Sequence, residues 1–159
     1  MRFILIVLSL ILASALPVQC QETAQDLLNQ GEALKKLGRY DQALLALDEA
    51  IAMDPGNPVA WNSKCSVLDI LGRYDEAMQA CEEAIRLDPD FDGAWCSKGL
   101  VLINMSKYGE AEMAFEEALR LNPESGLACA GKSLSLAYQG KLFGSIEALY
   151  DSAISAYQD

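Results

Sequence analysis

The sequence predicts an all-α fold, a solenoid of antiparallel helix hairpins, and three observations support this prediction. First, the segment LGRYDQALLALDEAIAMDP at residues 37–55 returns in similar form at 71–89 and 105–123, so the chain repeats every 34 residues. Second, each copy contains two stretches whose apolar residues recur at the spacing of an α-helix. Third, glycine and proline stand at matching places between these stretches. A repeat of this length indicates one helix hairpin per unit.

The first 20 residues have the pattern of a secretory signal peptide. Arg2 supplies a positive charge, residues 3–12 form an apolar run, and small residues follow up to Ala15. The run is shorter than the roughly 18–20 residues of a membrane-spanning helix. We therefore expect cleavage after Ala15 or Cys20, and a mature extracytoplasmic chain without a membrane span. Two alternatives are an uncleaved anchor and lipidation of Cys20, although Gln19 stands where a lipoprotein signal has a small residue.

The rest of the chain divides into four units. Residues 24–57, 58–91 and 92–125 are full units, and residues 126–159 form a degenerate fourth unit. One hairpin cannot bury its apolar face alone, so stacked hairpins are expected to bury one another's faces. The fourth unit has serines where the others have small apolar residues, and it is expected to cap the stack.

Within each unit the apolar spacing predicts a first and a second helix. In the second unit, Cys65 and Leu68 share one face of the first helix, and Ala77, Cys81 and Ala84 share one face of the second. These faces are expected to pack against each other.

Glycines and prolines predict where the helices end. Gly38 and Gly72 fall between paired helices, where a positive φ angle costs little only for glycine. Pro55, Pro89 and Pro123 follow the second helices, which proline cannot continue.

Polar residues predict a helix cap and two ion pairs. Asn57 precedes a proline and is expected to cap the first helix of the second unit. Glu82 and Glu116 are each followed four residues later by an arginine, a spacing that predicts an ion pair along the helix.

These features resemble the tetratricopeptide repeat. The third unit carries its signature residues, which are Trp95, Gly99, Leu102, Tyr108, Ala111, Phe115, Ala118 and Pro123. The second unit keeps most of these positions, whereas the first has Leu27 and the fourth Cys129 in place of the tryptophan. The resemblance implies a right-handed superhelical solenoid whose first helices line a concave groove. It also implies that this groove holds an extended peptide or a helix of a partner protein.

Helical spacing selects the first-helix residues that face neither the partner helix nor the next unit, and these are the predicted groove residues. They are Asn29, Glu32, Val59, Asn62, Ser63, Ser66, Asp69, Ile70, Cys96, Ser97, Leu100, Ile103 and Asn104. They mix apolar side chains with amides that are suited to pairing with a peptide backbone. Some family members grip a C-terminal carboxylate with cationic and amide residues, but the matching positions do not hold that set. They hold Leu28, Glu32, Ser63, Gly93 and Ser97.

Composition argues against several other functions. The chain has 23 acidic and 12 basic residues, a net charge of −11, and no histidine. A surface of this charge repels phosphate backbones, so we expect no nucleic-acid binding. No glycine-rich phosphate loop or nucleophile motif is present in the sequence. The paired glutamates at 82–83 and 116–117 are expected to face solvent, and we expect no catalysis, metal or cofactor.

The cysteines leave two structural alternatives open. Cys65 and Cys81 lie roughly level across one hairpin, and disulfides persist outside the cytoplasm. A bridge requires Cα atoms within about 7 Å, whereas antiparallel helix axes lie about 8–10 Å apart. The pair is therefore either a disulfide or two small buried thiols. The spacing of Cys65, Cys81, Cys96 and Cys129 does not match a metal site.

A second function remains open from the sequence, a self-assembling structural or spacer domain of an extracytoplasmic complex. Open-ended repeat stacks pair through their terminal helices. The apolar residues of the last predicted helix are the expected contacts in such a homo-oligomer. They are Phe143, Leu149, Tyr150 and Tyr157.

Overall fold

Seven α-helices make up residues 22–140, the part of the chain that the structure, a computed structural model, describes. They are α1 (Ala24–Lys36), α2 (Tyr40–Met53), α3 (Pro58–Ile70), α4 (Tyr74–Leu87), α5 (Asp92–Asn104), α6 (Tyr108–Leu121) and α7 (Gly126–Tyr138). Residues 22–140 contain no strand, and the predicted all-α helical repeat fold is confirmed. The predicted signal peptide and the last predicted helix lie outside the described residues.

The helices pack as hairpins that stack on one another. Helix α1 packs on α2, α3 on α4, and α5 on α6, and each second helix also packs on the first helix of the next unit. Successive first helices touch, whereas in the described part of the chain successive second helices do not. The first helices therefore form the concave side of the stack, and the second helices form the convex side.

The turns within the hairpins use a left-handed residue, as predicted for the first two. Gly38 and Gly72 both have a φ angle of 73°. Ser106 takes this place in the third hairpin with φ 61°, a conformation that is uncommon for a residue with a side chain. Gly140, directly after α7 and its C-cap, has φ 73° again.

Side-chain caps begin several of the first helices. Asn57 Oδ1 accepts hydrogen bonds from the backbone N–H groups of Val59 and Ala60, at 3.0 and 3.3 Å, which confirms the predicted cap of α3. Thr23 and Asp26 form a reciprocal capping box at the start of α1.

One contact in each hairpin sets how closely its two helices approach. A Cβ atom on Gly31 of α1 would lie 2.7 Å from the Leu47 side chain of α2. A Cβ atom on Gly99 of α5 would lie 2.6 Å from the ring of Phe115 of α6. Both large side chains are fully buried, so the space beside them admits only glycine.

The second hairpin fills the matching space with a disulfide. Cys65 of α3 and Cys81 of α4 are bonded to each other, with their Cα atoms 5.3 Å apart. Both side chains are fully buried. Of the two alternatives that the sequence left open, the structure contains the bridge. Cys65 is a small residue, so it allows α3 and α4 to approach each other as closely as a disulfide requires.

The predicted ion pairs four residues apart are wrong. Arg86 binds Glu83, three residues before it, with Nη2 and Oε1 2.5 Å apart. Glu82 instead binds Lys98 of the next unit at 3.1 Å, because its side chain faces that unit. One unit later, Arg120 likewise binds Glu117, and Glu116 binds Lys132 of the next unit.

Candidate functional site

The concave surface is formed by α1, α3, α5 and α7, which lie side by side. Because the chain repeats every 34 residues, equivalent side chains of these helices form rows across that surface. We call this surface the groove, and its walls are the predicted groove residues.

Most of the predicted groove residues are accessible. Val59 and Ile70 of α3 are 45% and 52% exposed. The other exposed or half-buried members are Asn29, Glu32, Asn62, Ser66, Asp69, Ser97, Leu100, Ile103 and Asn104. Ser63 and Cys96 differ, because only 4% and 3% of their surfaces are exposed. These two predicted groove residues are therefore packed between helices and do not line the accessible surface.

A hydrogen bond between two predicted groove residues ties α3 to α5. Asn104 Nδ2 donates to Asp69 Oδ1 at 2.8 Å. Burial raises the pKa of Asp69 above its ordinary value, and the bond from Asn104 opposes this shift without cancelling it. The hydrogen bond of this carboxylate therefore links α3 to α5, but keeping the carboxylate charged in a partly buried place lowers the stability of the fold.

Glu32 is a half-buried carboxylate on α1 that forms an ion pair within its own helix. Burial alone would raise the pKa of Glu32, but hydrogen bonds from Ser63 and Lys35 outweigh it, so the pKa lies below its ordinary value. The Lys35 Nζ to Glu32 Oε1 distance is 2.9 Å. Glu32 therefore carries a paired charge at the α1 end of the groove.

Asn62 has an unsatisfied carbonyl. Its Oδ1 atom is buried and has no hydrogen-bond partner within residues 22–140. Leaving a buried acceptor without a donor costs about 1–3 kcal/mol. Because this oxygen is buried, it is not open to a ligand, and its unmet hydrogen bond is a cost borne by the fold.

Two equivalent cavities lie outside the groove, on the side of the second helices. One has a volume of about 270 Å³ beside Trp61 and Lys64, and the other about 330 Å³ beside Trp95 and Lys98. No predicted groove residue lines either cavity.

The tryptophans of these cavities join adjacent units. Trp61 Nε1 donates to the carbonyl oxygen of Pro55, and Trp95 Nε1 to that of Pro89, both at 3.0 Å. Both rings are half-buried and pack against the core. The lysines three residues after each tryptophan, which the repeat pattern did not single out, bind the preceding second helix.

The described residues show neither a metal site nor a membrane span. Residues 22–140 contain no cluster of three metal-ligating side chains. Among the helices of that part, none has the length and apolar character to cross a bilayer.

Comparison with known proteins decides the family. Tetratricopeptide repeat profiles match residues 28–90 and 93–125, more than half of the chain. This chain belongs to the tetratricopeptide repeat family. Tetratricopeptide repeat domains are typically non-catalytic protein-interaction domains. A search of curated protein sequences found no match.

Solved tetratricopeptide structures have the same fold. The first tetratricopeptide domain of human RPAP3 is 24% identical, covers 77% of this chain and 97% of its own, and superposes with a TM-score of 0.73. The second domain of human RPAP3, in complex with the HSP70 peptide SGPTIEEVD, is 27% identical with coverages of 70% and 93% and a TM-score of 0.67. The Arabidopsis OM64 domain is 22% identical with coverages of 73% and 96% and a TM-score of 0.70.

Proposed function

We propose that this tetratricopeptide chain is a non-catalytic scaffold that holds a segment of a partner protein in its groove. The observation that carries the proposal is the wall of half-exposed apolar and small polar side chains on α3 and α5. The human RPAP3 domain solved with an HSP70 peptide supports it, as does the first tetratricopeptide domain of Spaghetti (RPAP3), which was solved with the HSP90 peptide SRMEEVD. A preformed groove lowers the ordering cost of binding on the scaffold's side.

The proposal includes a location outside the cytoplasm. Two independent features support it, the signal-peptide pattern of residues 1–20 and the buried disulfide between Cys65 and Cys81. Mass spectrometry of the exported protein tests the location and the processing together. Cleavage after Ala15 or Cys20 leaves Leu16 or Gln21 as the first residue, whereas a lipidated chain begins at Cys20. A cytoplasmic chain with an intact N-terminus contradicts the proposal.

Partner capture tests the groove. The bait is the folded, oxidised chain in an extracytoplasmic extract of its own source, beside the double variant Asn62→Glu with Leu100→Glu. A matched control, Gln42→Glu with Leu45→Glu, places two charges on the exposed face of α2. We expect the parent and the control to retain the same partner, and the groove variant to lose at least about tenfold of it, because buried charges without partners oppose binding.

Two results contradict groove binding. If the folded groove variant retains the partner as well as the parent does, the partner binds elsewhere. If all three baits recover only the chain itself, the alternative of a self-assembling spacer is supported. Circular dichroism of each bait controls for loss of the fold.

A further inference from the structure

The cavity beside Trp95 lies on the convex side of the stack, outside the groove, and we call it the Trp95 crevice. Trp95 and Leu102 of α5 and Met113 of α6 give it an apolar lining, and 68% of the surface of Met113 is exposed. Its volume of about 330 Å³ is at the lower end of the roughly 300–1,000 Å³ of ligand pockets. The third unit therefore has an accessible apolar cavity that is large enough for one side chain of another molecule.

One carboxylate in the lining of the Trp95 crevice has no partner. Glu110 is exposed and forms no ion pair or hydrogen bond within residues 22–140. The other two charged groups of the lining are paired. Lys98 Nζ lies 3.1 Å from Glu82 Oε1 of α4, and Arg120 Nη2 lies 2.8 Å from Glu117 Oε1. The crevice therefore presents one unpaired negative charge beside apolar side chains.

The equivalent cavity beside Trp61, the Trp61 crevice, lacks both of these features. Gln79 takes the place of the exposed methionine, and Glu76 takes the place of Glu110. Arg73 binds Glu76, with Nε 2.7 Å from Oε1, whereas the lysine at the matching position before α6 binds no carboxylate in the described part of the chain. Because both crevices share a tryptophan, a lysine and a leucine, the second unit supplies an internal control for the third.

The negative charge of the described helices is concentrated on the convex side. Helices α2, α4 and α6 each have a net charge of −3, whereas α1, α3 and α5 are each neutral and α7 has a charge of +1. One basic residue directly before each second helix reduces the charge of that segment only to −2. A surface of this sign attracts basic partners and repels a second copy of the chain. The occupant that complements the Trp95 crevice is therefore a cationic group of another protein.

A lysine or arginine side chain combines the two properties that this crevice requires. Its aliphatic stem covers apolar surface while its charged end stays beside water or a carboxylate. Lys98 Nζ already lies 5.9 Å from the centre of the Trp95 ring, which weakens the attraction of that ring for a further cation. Glu110 is therefore the expected partner of the charged end.

We infer that the Trp95 crevice binds a lysine or arginine side chain of a basic partner segment. The stem of that side chain lies against Trp95 and Met113, and its charged group pairs with Glu110. This second binding site is separate from the groove, because no predicted groove residue lines the crevice.

Blocked pentapeptides of glycine with one variable central residue test the inference. The central residue is arginine or its uncharged analogue citrulline, and lysine or its uncharged analogue norleucine. The chain has two tryptophans, one in each crevice, so the two indole N–H signals in a nitrogen-15 NMR spectrum report the two sites separately. We expect the arginine and lysine peptides to shift the Trp95 signal and not the Trp61 signal. They should bind about two- to fivefold more tightly than their uncharged analogues, which is the range for one exposed ion pair.

Three variants of the chain locate the interaction. Glu110→Gln should remove the preference for charged peptides, whereas Glu49→Gln, an exposed carboxylate of α2 with the same change in net charge, should keep it. Arg73→Lys with Gln79→Met copies the third unit into the second and should make the Trp61 signal respond to the charged peptides.

Several results overturn the inference. Equal shifts of both tryptophan signals in the parent would show a general attraction to the acidic surface. Equal affinity for charged and uncharged peptides would show that Glu110 does not select a cation. A Trp95 signal that none of the peptides shifts would show that the crevice does not bind such side chains. None of these results bears on partner binding in the groove.

Discussion

At the scale of single residues, each hairpin depends on what fills the space where its helices come closest. The first and third hairpins combine a glycine with one large side chain, Leu47 or Phe115. The second hairpin has Cys65 and Cys81 at these two places, and their bridge supplies the contact that the large residue supplies elsewhere. Two unbonded sulfur atoms cannot approach as closely as bonded ones, so the close contact of the second hairpin should depend on the bond.

Removing this disulfide is expected to destabilise the protein. The bridge joins residues 16 apart, and a loop of about this size corresponds to roughly 2–4 kcal/mol of stability. Urea unfolding of Cys65→Ala with Cys81→Ala, or of the parent under reducing conditions, measures the loss. Cys129→Ser changes an exposed free thiol and should unfold like the parent. Equal unfolding midpoints for the parent and the double variant would show that the bond does not stabilise the fold.

Asp69 predicts a pH-dependent difference in stability. Because burial raises its pKa in the folded state, Asp69 supports folding when protonated, and this contribution is lost as the pH rises through the folded pKa. Asp69→Asn keeps an oxygen that can accept the bond from Asn104 and removes the buried charge. We therefore expect Asp69→Asn to unfold at higher urea than the parent at pH 7, with the difference shrinking toward about pH 3.

The control for Asp69 is Glu49→Gln, which removes an exposed carboxylate on α2 and makes the same change in net charge. A stability difference for Asp69→Asn that stays constant between these pH values, or a variant less stable than the parent at pH 7, would contradict the expected role of the buried charge.

At the scale of helices, small residues decide how the elements approach one another. Ala43, Ala77 and Ala111, at matching positions of α2, α4 and α6, are fully buried. Phe115 of α6 fills the space between α5 and α7, because a Cβ atom on either Gly99 or Gly131 would collide with its ring. One buried ring therefore sets the spacing of three helices.

Gly131→Ala is expected to cost about 1–3 kcal/mol of unfolding free energy, even though alanine favours helices more than glycine does. The added methyl group meets the Phe115 ring, which Gly99 confines on its other side. Gly109→Ala is the control, because nothing lies within 4 Å of that site, and it should be neutral or stabilising by up to about 1 kcal/mol. Adding Phe115→Leu to Gly131→Ala should recover part of the loss in a double-mutant cycle. Additive effects would show that the two residues do not compete for space.

The sequence predicted the helices, their turns and the cap at Asn57 because these depend on local spacing and backbone preference. It did not predict that Arg86 pairs with Glu83 while Glu82 pairs with Lys98 of the next unit. Periodicity gives the direction of a side chain about its own helix, but it does not say which residue of the next unit that side chain meets. The disulfide stayed open for the same reason, because it depends on a Cα–Cα distance. The burial of Ser63 and Cys96 depends on how closely successive first helices pack, which the repeat does not specify.

At the scale of the whole molecule, residues 22–140 form a stack in which contacts join only adjacent units. Helices α1 and α2 touch α3 but none of α4–α7 within this range. The stability of such a stack is approximately a sum over units and the interfaces between neighbours. A unit inside the stack has two interfaces, so the middle of the chain should be its most stable part.

Hydrogen exchange under native conditions should show this gradient along the chain. We expect the slowest amide exchange in α3 and α4, which have neighbours on both sides and share the disulfide, and faster exchange in α1. Reduction of the bridge should lower the protection of α3 and α4 toward that of α5 and α6, which also have neighbours on both sides but lack a bond. Mass spectrometry of peptides from each helix measures both effects. Uniform protection from α1 to α7 would instead mean that the described units open together, and that coupling along the stack outweighs the difference in the number of neighbours.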